Sequence, residues 1–295
     1  MELLWLLAVF LVPLDFFGQD YAESETVIAY VEVPKVALLR TLSGLMAVLW
    51  LIDWGLHSAI EPRTSISLKT LRTISTRWLA WLGDTIRRQP NRWLPLAVGF
   101  YLGTTILSTT LSGSFRVSLW GEVPGQDSYS TYNVLAYVLL FSMVATRLRT
   151  RQQLWRLLGA ILAMGVLVSG YAVLQHYGRD VLQLSEFTGG VTTSFMGNSI
   201  FAAAVIQMTI PVIVCASVIS LLRFPGLADT TRSKVNSWAL GLAILGIWVA
   251  ALSIQFLGLL FTFSRGPWIG SLFALSCMVV LVAVFVGRSR LLRNK

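Results

Sequence analysis

The chain has 295 residues, 55% of them hydrophobic and 13% charged, with a formal net charge of +9. A soluble domain of this size could not cover so apolar a composition with polar groups, so the positive charge does not mark a nucleic-acid-binding protein. Apolar runs recur along the whole sequence, and the expected fold is all-α: a polytopic membrane helical bundle forming a single multi-pass domain over 1–295.

About eight spans are predicted, near 3–17, 36–54, 93–111, 130–146, 157–174, 199–222, 238–262 and 267–287. The first begins with Glu2, carries no basic residue at its start and is followed by no small-x-small site, so it reads as a retained span and not as a signal peptide. An acidic segment with Asp20, Glu23, Glu25 and Glu32 follows it. Residues 68–88 are too polar to cross a membrane. At ~100° per residue, Lys69, Arg72, Arg77, Asp84, Arg87 and Arg88 share one side and Leu71, Ile74, Trp78, Leu79 and Trp81 lie on the other. This predicts an interfacial amphipathic helix on the inner leaflet, an anchor with no specific ligand. Cys215 and Cys277 both lie in apolar runs and read as small hydrophobes, with no disulfide.

Charge sets the expected orientation. The segments 55–92, 147–156, 223–237 and 288–295 hold 18 of the 23 lysines and arginines. The opposite loops hold only Lys35, Arg116, Arg179 and Arg265, and Arg40 lies inside the second span. By the positive-inside rule both termini are cytoplasmic.

The sequence has no P-loop, GxGxxG, CxxC or HExxH. His57 and His176 fall on opposite sides, so they do not share a metal, and no metal or cofactor is expected. Chemistry then has to come from outer loops and helix ends. Arg116, Arg179 and Arg265 face outward, Arg40 snorkels to the same interface from about one turn inside its span, and Lys35 sits at that rim. Guanidinium forks at one depth suit a lipid diphosphate, whose oxygens they match in pairs. The plainer reading is that each cation anchors a helix end at the headgroups. Arg265 departs most from it, because Gly266 allows close backbone approach and Pro267 opens a helix whose free N–H groups point at the same space.

Thr262-x-Ser264-Arg265-Gly266 resembles the TxSRG signature of the O-antigen ligase family, a superfamily that also holds O-antigen polymerases and bacterial O-oligosaccharyltransferases. Further segments agree in order. Val33-Pro34-Lys35 is similar to the family's PK entry to span two, and Ser118-Leu119-Trp120-Gly121, then Gly125-Gln126, to its SLWG loop. Leu174-Gln175-His176-Tyr177-Gly178 resembles LQxxG, and Thr193-Ser194-Phe195-Met196-Gly197-Asn198 resembles GTFGNPN. Two departures stand out: Ser199-Ile200 replaces Pro-Asn after Asn198, and Pro267 replaces a small residue after the SRG. Residues 153–295 correspond to the start of the family's core. Family members continue into a large outer loop with a catalytic histidine or arginine, so the expectation is a chain lacking that loop, as a fragment or as a shortened relative.

The resemblance implies metal-independent transfer of a glycan from a polyprenyl diphosphate to a hydroxyl, at the outer face of the plasma (inner) membrane of a bacterium. Its expected partners are that lipid-linked glycan and membrane lipids. Arg265 would stabilise the leaving diphosphate, and Ser264, Gly266, Arg116, Arg179, Arg40, Lys35 and Asn198 would help bind it. His176, the one external histidine, is a candidate base; it also reads as a tolerated polar residue at a variable position of LQxxG, with the family's base in the outer loop that this chain is expected to lack. Asp20 or Glu23 of the first outer loop is a further candidate, since an acidic residue there binds metal or activates the acceptor in other lipid-linked glycosyltransferases. The rival readings are a lipid or polysaccharide transporter and a non-catalytic membrane partner. Transport by ion coupling usually needs a carboxylate near the midplane, whereas Asp15 and Asp53 lie at span ends and the midplane holds Gln207 and Gln255.

Overall fold

The computed structural model describes residues 1–17, 31–60, 93–121, 130–184, 190–228 and 234–293. The amphipathic segment 68–88, the acidic residues Asp20, Glu23 and Glu25, and Gly125-Gln126 lie outside the described residues. All regular elements among the described residues are helical. They are α1 (Glu2–Leu11), α2 (Val33–Ile60), α3 (Trp93–Thr110), α4 (Phe115–Trp120), α5 (Thr131–Arg147), α6 (Arg151–His176), α7 (Ser199–Ala228), α8 (Lys234–Phe261) and α9 (Arg265–Arg293), with 3-10 turns at Val12–Leu14 and Ser194–Met196.

Among the described residues, five stretches are long and apolar enough to cross a membrane: Val33–Leu56, Arg151–His176, Ser199–Leu222, Ala239–Phe261 and Arg265–Val284. The other three expected spans are helical too, but shorter or less apolar. The apolar helix at the start covers Glu2–Leu14 and α5 has 17 residues. In α3, hydroxyl side chains occupy five of the last seven positions and dilute its hydrophobicity.

The contacts divide into two compact units: Met1–Trp5 with Val36–Arg149, and Leu6–Lys35 with Thr150–Lys295. In the first unit, α3 and α4 pack on α5. Helices α2 and α5 run in the same direction and are clasped at both ends by polar pairs. Arg40 Nε donates to Asn133 Oδ1 at 2.7 Å at one end, and Arg147 pairs with Asp53 at the other. Interhelical hydrogen bonds of this kind hold apolar helices together where lipid removes most of the hydrophobic drive.

In the second unit, α6, α7 and α8 pack mutually and α9 lies against α7. Val168, Ala202, Ala203, Ile206 and Ile210 are fully buried at its centre. Small residues set the spacing. A Cβ on Gly258 would stand 2.9 Å from the backbone oxygen of Ser169, so α6 and α8 touch almost backbone to backbone. The turn Val12–Leu14 packs onto this unit through Leu14 and the Ser194–Met196 turn.

Candidate functional site

A hydrogen-bonded polar region lies where α6 and α8 end, near His176 in the second unit. Helix α6 closes with a Schellman motif. Gly178 N–H donates to Gln175 O at 2.9 Å and Arg179 N–H to Leu174 O at 3.0 Å, with Gly178 at φ 72. Only glycine adopts that left-handed turn cheaply, which gives the final residue of Leu174–Gly178 a physical reason. The motif leaves the Arg179 side chain exposed. Next to it, Asp180 accepts a hydrogen bond from the Tyr171 hydroxyl, which itself accepts from Leu182 N–H at 3.0 Å.

The segment 190–198 is drawn onto that helix end. Ser194, at φ 49, donates its N–H to Gln175 Oε1 and its hydroxyl to Val168 O, both at 2.7 Å. Thr192 N–H donates to Phe261 O at 3.2 Å, which ties the segment to the end of α8. Asn198 is the cap of α7: its Oδ1 accepts from Ile200 N–H at 2.9 Å, as preferred N-cap residues do. That use leaves its amide nitrogen as the group available to a ligand.

Thr262–Gly266 forms the tight turn between α8 and α9. The Thr262 hydroxyl donates back to Leu259 O at 2.6 Å, and the buried Ser264 hydroxyl donates to Thr262 O at 3.3 Å. Trp268 Nε1 donates to the same Leu259 carbonyl at 2.9 Å. Phe263 between them is held at φ 50, a conformation that costs a non-glycine residue about 1–3 kcal/mol and persists where the surroundings over-determine it. The signature's threonine and serine thus shape the turn. Arg265 is the first residue of α9, exposed, with no partner among the described residues. No atom lies within 4 Å of where a Cβ on Gly266 would stand, so the space beside that backbone is open.

His176 connects these pieces. Its ring stacks on Phe261 with centroids 3.6 Å apart and planes 4° from parallel, and the Phe263 ring lies 6.4 Å away. Its Nδ1 is 3.0 Å from Gly190 O. A carbonyl only accepts, so Nδ1 carries the hydrogen and the neutral ring keeps its lone pair on Nε2. This is the tautomer a general base needs. Lys35 also belongs to this unit, and its ammonium donates to the carbonyls of Pro13, at 3.0 Å, and Asp15. It closes the end of the first helix and keeps one donor for other partners.

The remaining candidates lie in the first unit. Arg40 is engaged on several sides: besides Asn133 it donates through Nη2 to Ser130 Oγ at 3.3 Å and Trp120 O at 3.4 Å, and it sits over the Tyr132 ring at 4.7 Å. Arg116, on α4, is exposed with no partner among the described residues. Sequence reasoning missed Asn133 as the partner of Arg40, 93 residues away; the signal was a polar residue in the first turn of an apolar helix. It also missed Gln175 as the clamp on Ser194 and Phe261 as the platform for His176. No three His, Cys, Asp or Glu side chains gather among the described residues.

No family model matches the chain, and no curated protein or solved structure is similar to it.

Proposed function

We propose that the chain is a glycan transferase of the O-antigen ligase type, which moves a polyprenyl-diphosphate-linked glycan to a hydroxyl acceptor at the outer face of a bacterial plasma membrane. The observation that carries the reading is the seating of His176. A histidine with its basic nitrogen set by a backbone carbonyl is stacked within one turn of chain from the exposed Arg265. In the reaction, the acceptor hydroxyl oxygen attacks the sugar's anomeric carbon and His176 Nε2 takes its proton. The carbon–oxygen bond to the diphosphate breaks, and its electron pair leaves with the lipid diphosphate. Arg265 offsets the charge that grows there, with Arg179 and the open backbone at Gly266 as further contacts. In this reading the chain makes eight spans with both termini in the cytoplasm, and the His176 end faces out.

Two experiments test it. The full-length gene product in proteoliposomes should transfer glycan from a polyprenyl diphosphate to a hydroxyl acceptor in the presence of a chelator; no transfer with any lipid-linked glycan tried contradicts the reading. For topology, in a Cys215→Ala, Cys277→Ala background, Ser114→Cys and Val181→Cys should react with an impermeant thiol reagent from outside and Gln152→Cys should not. External labelling of Gln152→Cys would reverse the orientation.

A further inference from the structure

The first unit contains an open cavity of about 510 Å³ whose lining differs from the apolar helices around it: seven of its eight described lining residues carry a hydroxyl. The volume falls within the range of ligand pockets, ~300–1,000 Å³. Its walls are the second half of α3 (Thr104, Thr105, Ser108, Thr109), Val117 and Ser118 of α4, and the start of α5 at Ser130 and Thr131.

The hydrogen bonds decide what it accepts. Thr104 and Thr105 both donate to Tyr101 O at 2.8 Å, and Thr109 donates to Thr105 O at 2.9 Å. Ser118 donates to Ser112 Oγ at 2.7 Å and Thr131 to Ser118 O at 3.1 Å. Thr109 and Thr131 are buried and their hydroxyls also bond each other. All five hydroxyl hydrogens are therefore spent on protein acceptors, and the oxygens of Thr104, Thr105 and Ser118 keep the most lone-pair capacity for a ligand. Ser108 and Ser130 keep a hydrogen to give, and Ser130 Oγ is fixed by Arg40 Nη2 at 3.3 Å. No cation is among the described lining residues. A diphosphate, which only accepts, finds few donors here. A polyol finds many acceptors, two donors and the Val117 methyls under one face of its ring.

We propose that this cavity binds a neutral sugar unit of the transferred or accepting glycan. The ligand class rests on the glycan-transfer reading; the cavity and its hydrogen-bond pattern do not. The test measures alkylation of the cysteine introduced by Ser108→Cys, in the Cys215→Ala, Cys277→Ala background, on the full chain in nanodiscs. The probes are glucose, galactose, rhamnose and N-acetylglucosamine, each against inorganic diphosphate and against sodium exchanged for choline. At least one sugar should slow alkylation saturably, and adding Thr105→Val, which keeps the volume, should weaken that sugar about tenfold. Should Ser108→Cys fail to fold, the same sugar should raise the unfolding temperature of the wild-type protein saturably and lose that effect in Thr105→Val. Protection by sodium alone, protection by diphosphate, or none from any sugar would overturn the proposal. Sugar protection in a protein that transfers nothing would remove the transfer reading and keep the cavity. Transfer whose KM values for donor and acceptor are both unchanged by Thr105→Val would remove the cavity and keep the transfer reading; the KM that rises tells which glycan occupies it.

Discussion

In the first unit the guanidinium of Arg40 is spent on Asn133, Ser130, the Trp120 carbonyl and the face of Tyr132, while in the second unit that of Arg265 stands exposed at the start of α9 with no partner among the described residues. Both are arginines within about two turns of the start of an apolar helix, and composition alone gives them the same role. The difference lies in what the neighbouring helix offers. Start-of-helix polar groups on α5 capture Arg40, and the fold gains an interhelical clasp. The turn before Arg265 satisfies its own groups through Thr262 and Ser264 and gives the arginine no partner among the described residues. An arginine at a span end is therefore a candidate ligand group only where the local turn is already complete without it.

This contrast can be broken most sharply at His176. His176→Asn keeps a donor near the Nδ1 position for Gly190 and removes the Nε2 lone pair. Transfer should fall by ~10²–10⁴, the usual contribution of a positioned base, while loss of the stack on Phe261 lowers stability by only about 0.5–1.5 kcal/mol. Unchanged transfer would return His176 to a packing role. Next in size is Arg40→Ala, which should cost about 1.5–3 kcal/mol in detergent unfolding, because a charged hydrogen-bonding group is lost from the clasp between α2 and α5. An Arg40→Ala protein as stable as wild type would mean the clasp holds nothing. The smallest effect is expected for Gly266→Ala. With open space beside it, stability should stay within about 0.5 kcal/mol of wild type. Transfer should still drop if the diphosphate approaches that backbone, and an unaffected transfer rate would restrict the site to side chains.

Most of the helices are legible in the sequence because apolar runs and turn chemistry are local. The expected span 199–222 lies within α7 (Ser199–Ala228), and 267–287 within α9 (Arg265–Arg293). Helices α6 and α8 begin several residues before their apolar runs, at Arg151 and Lys234, because a helix need not stop where its hydrophobic segment does; Thr150 caps α6 with a complete capping box. The expected span 93–111 rests on its apolar residues alone, and the threonines and serines in its second half line a cavity, a role that no local period marks. The candidate site is legible only in part. Arg265, Gly266 and His176 stand out by type and position. Their relation depends on Phe261 stacking on a ring 85 positions earlier in the chain and on Gln175 reaching Ser194, and such pairings leave no local period or spacing to read. Lys35 and Asn198 show the same limit from the other side: both look available as linear sequence, and both spend polar groups on helix ends once folded.

The central claim is that Arg265 grips the departing diphosphate, and the measurement that bears on it most directly is the transfer rate of Arg265→Lys in the full-length protein. Lysine keeps the charge and loses the planar two-point fork. Membrane insertion and unfolding temperature should match wild type, since no partner of Arg265 is lost among the described residues. Transfer should fall by ~10²–10³, as when one charge-stabilising donor is removed from a reacting centre. A Lys variant that transfers glycan at the wild-type rate would make Arg265 a headgroup anchor and contradict the account.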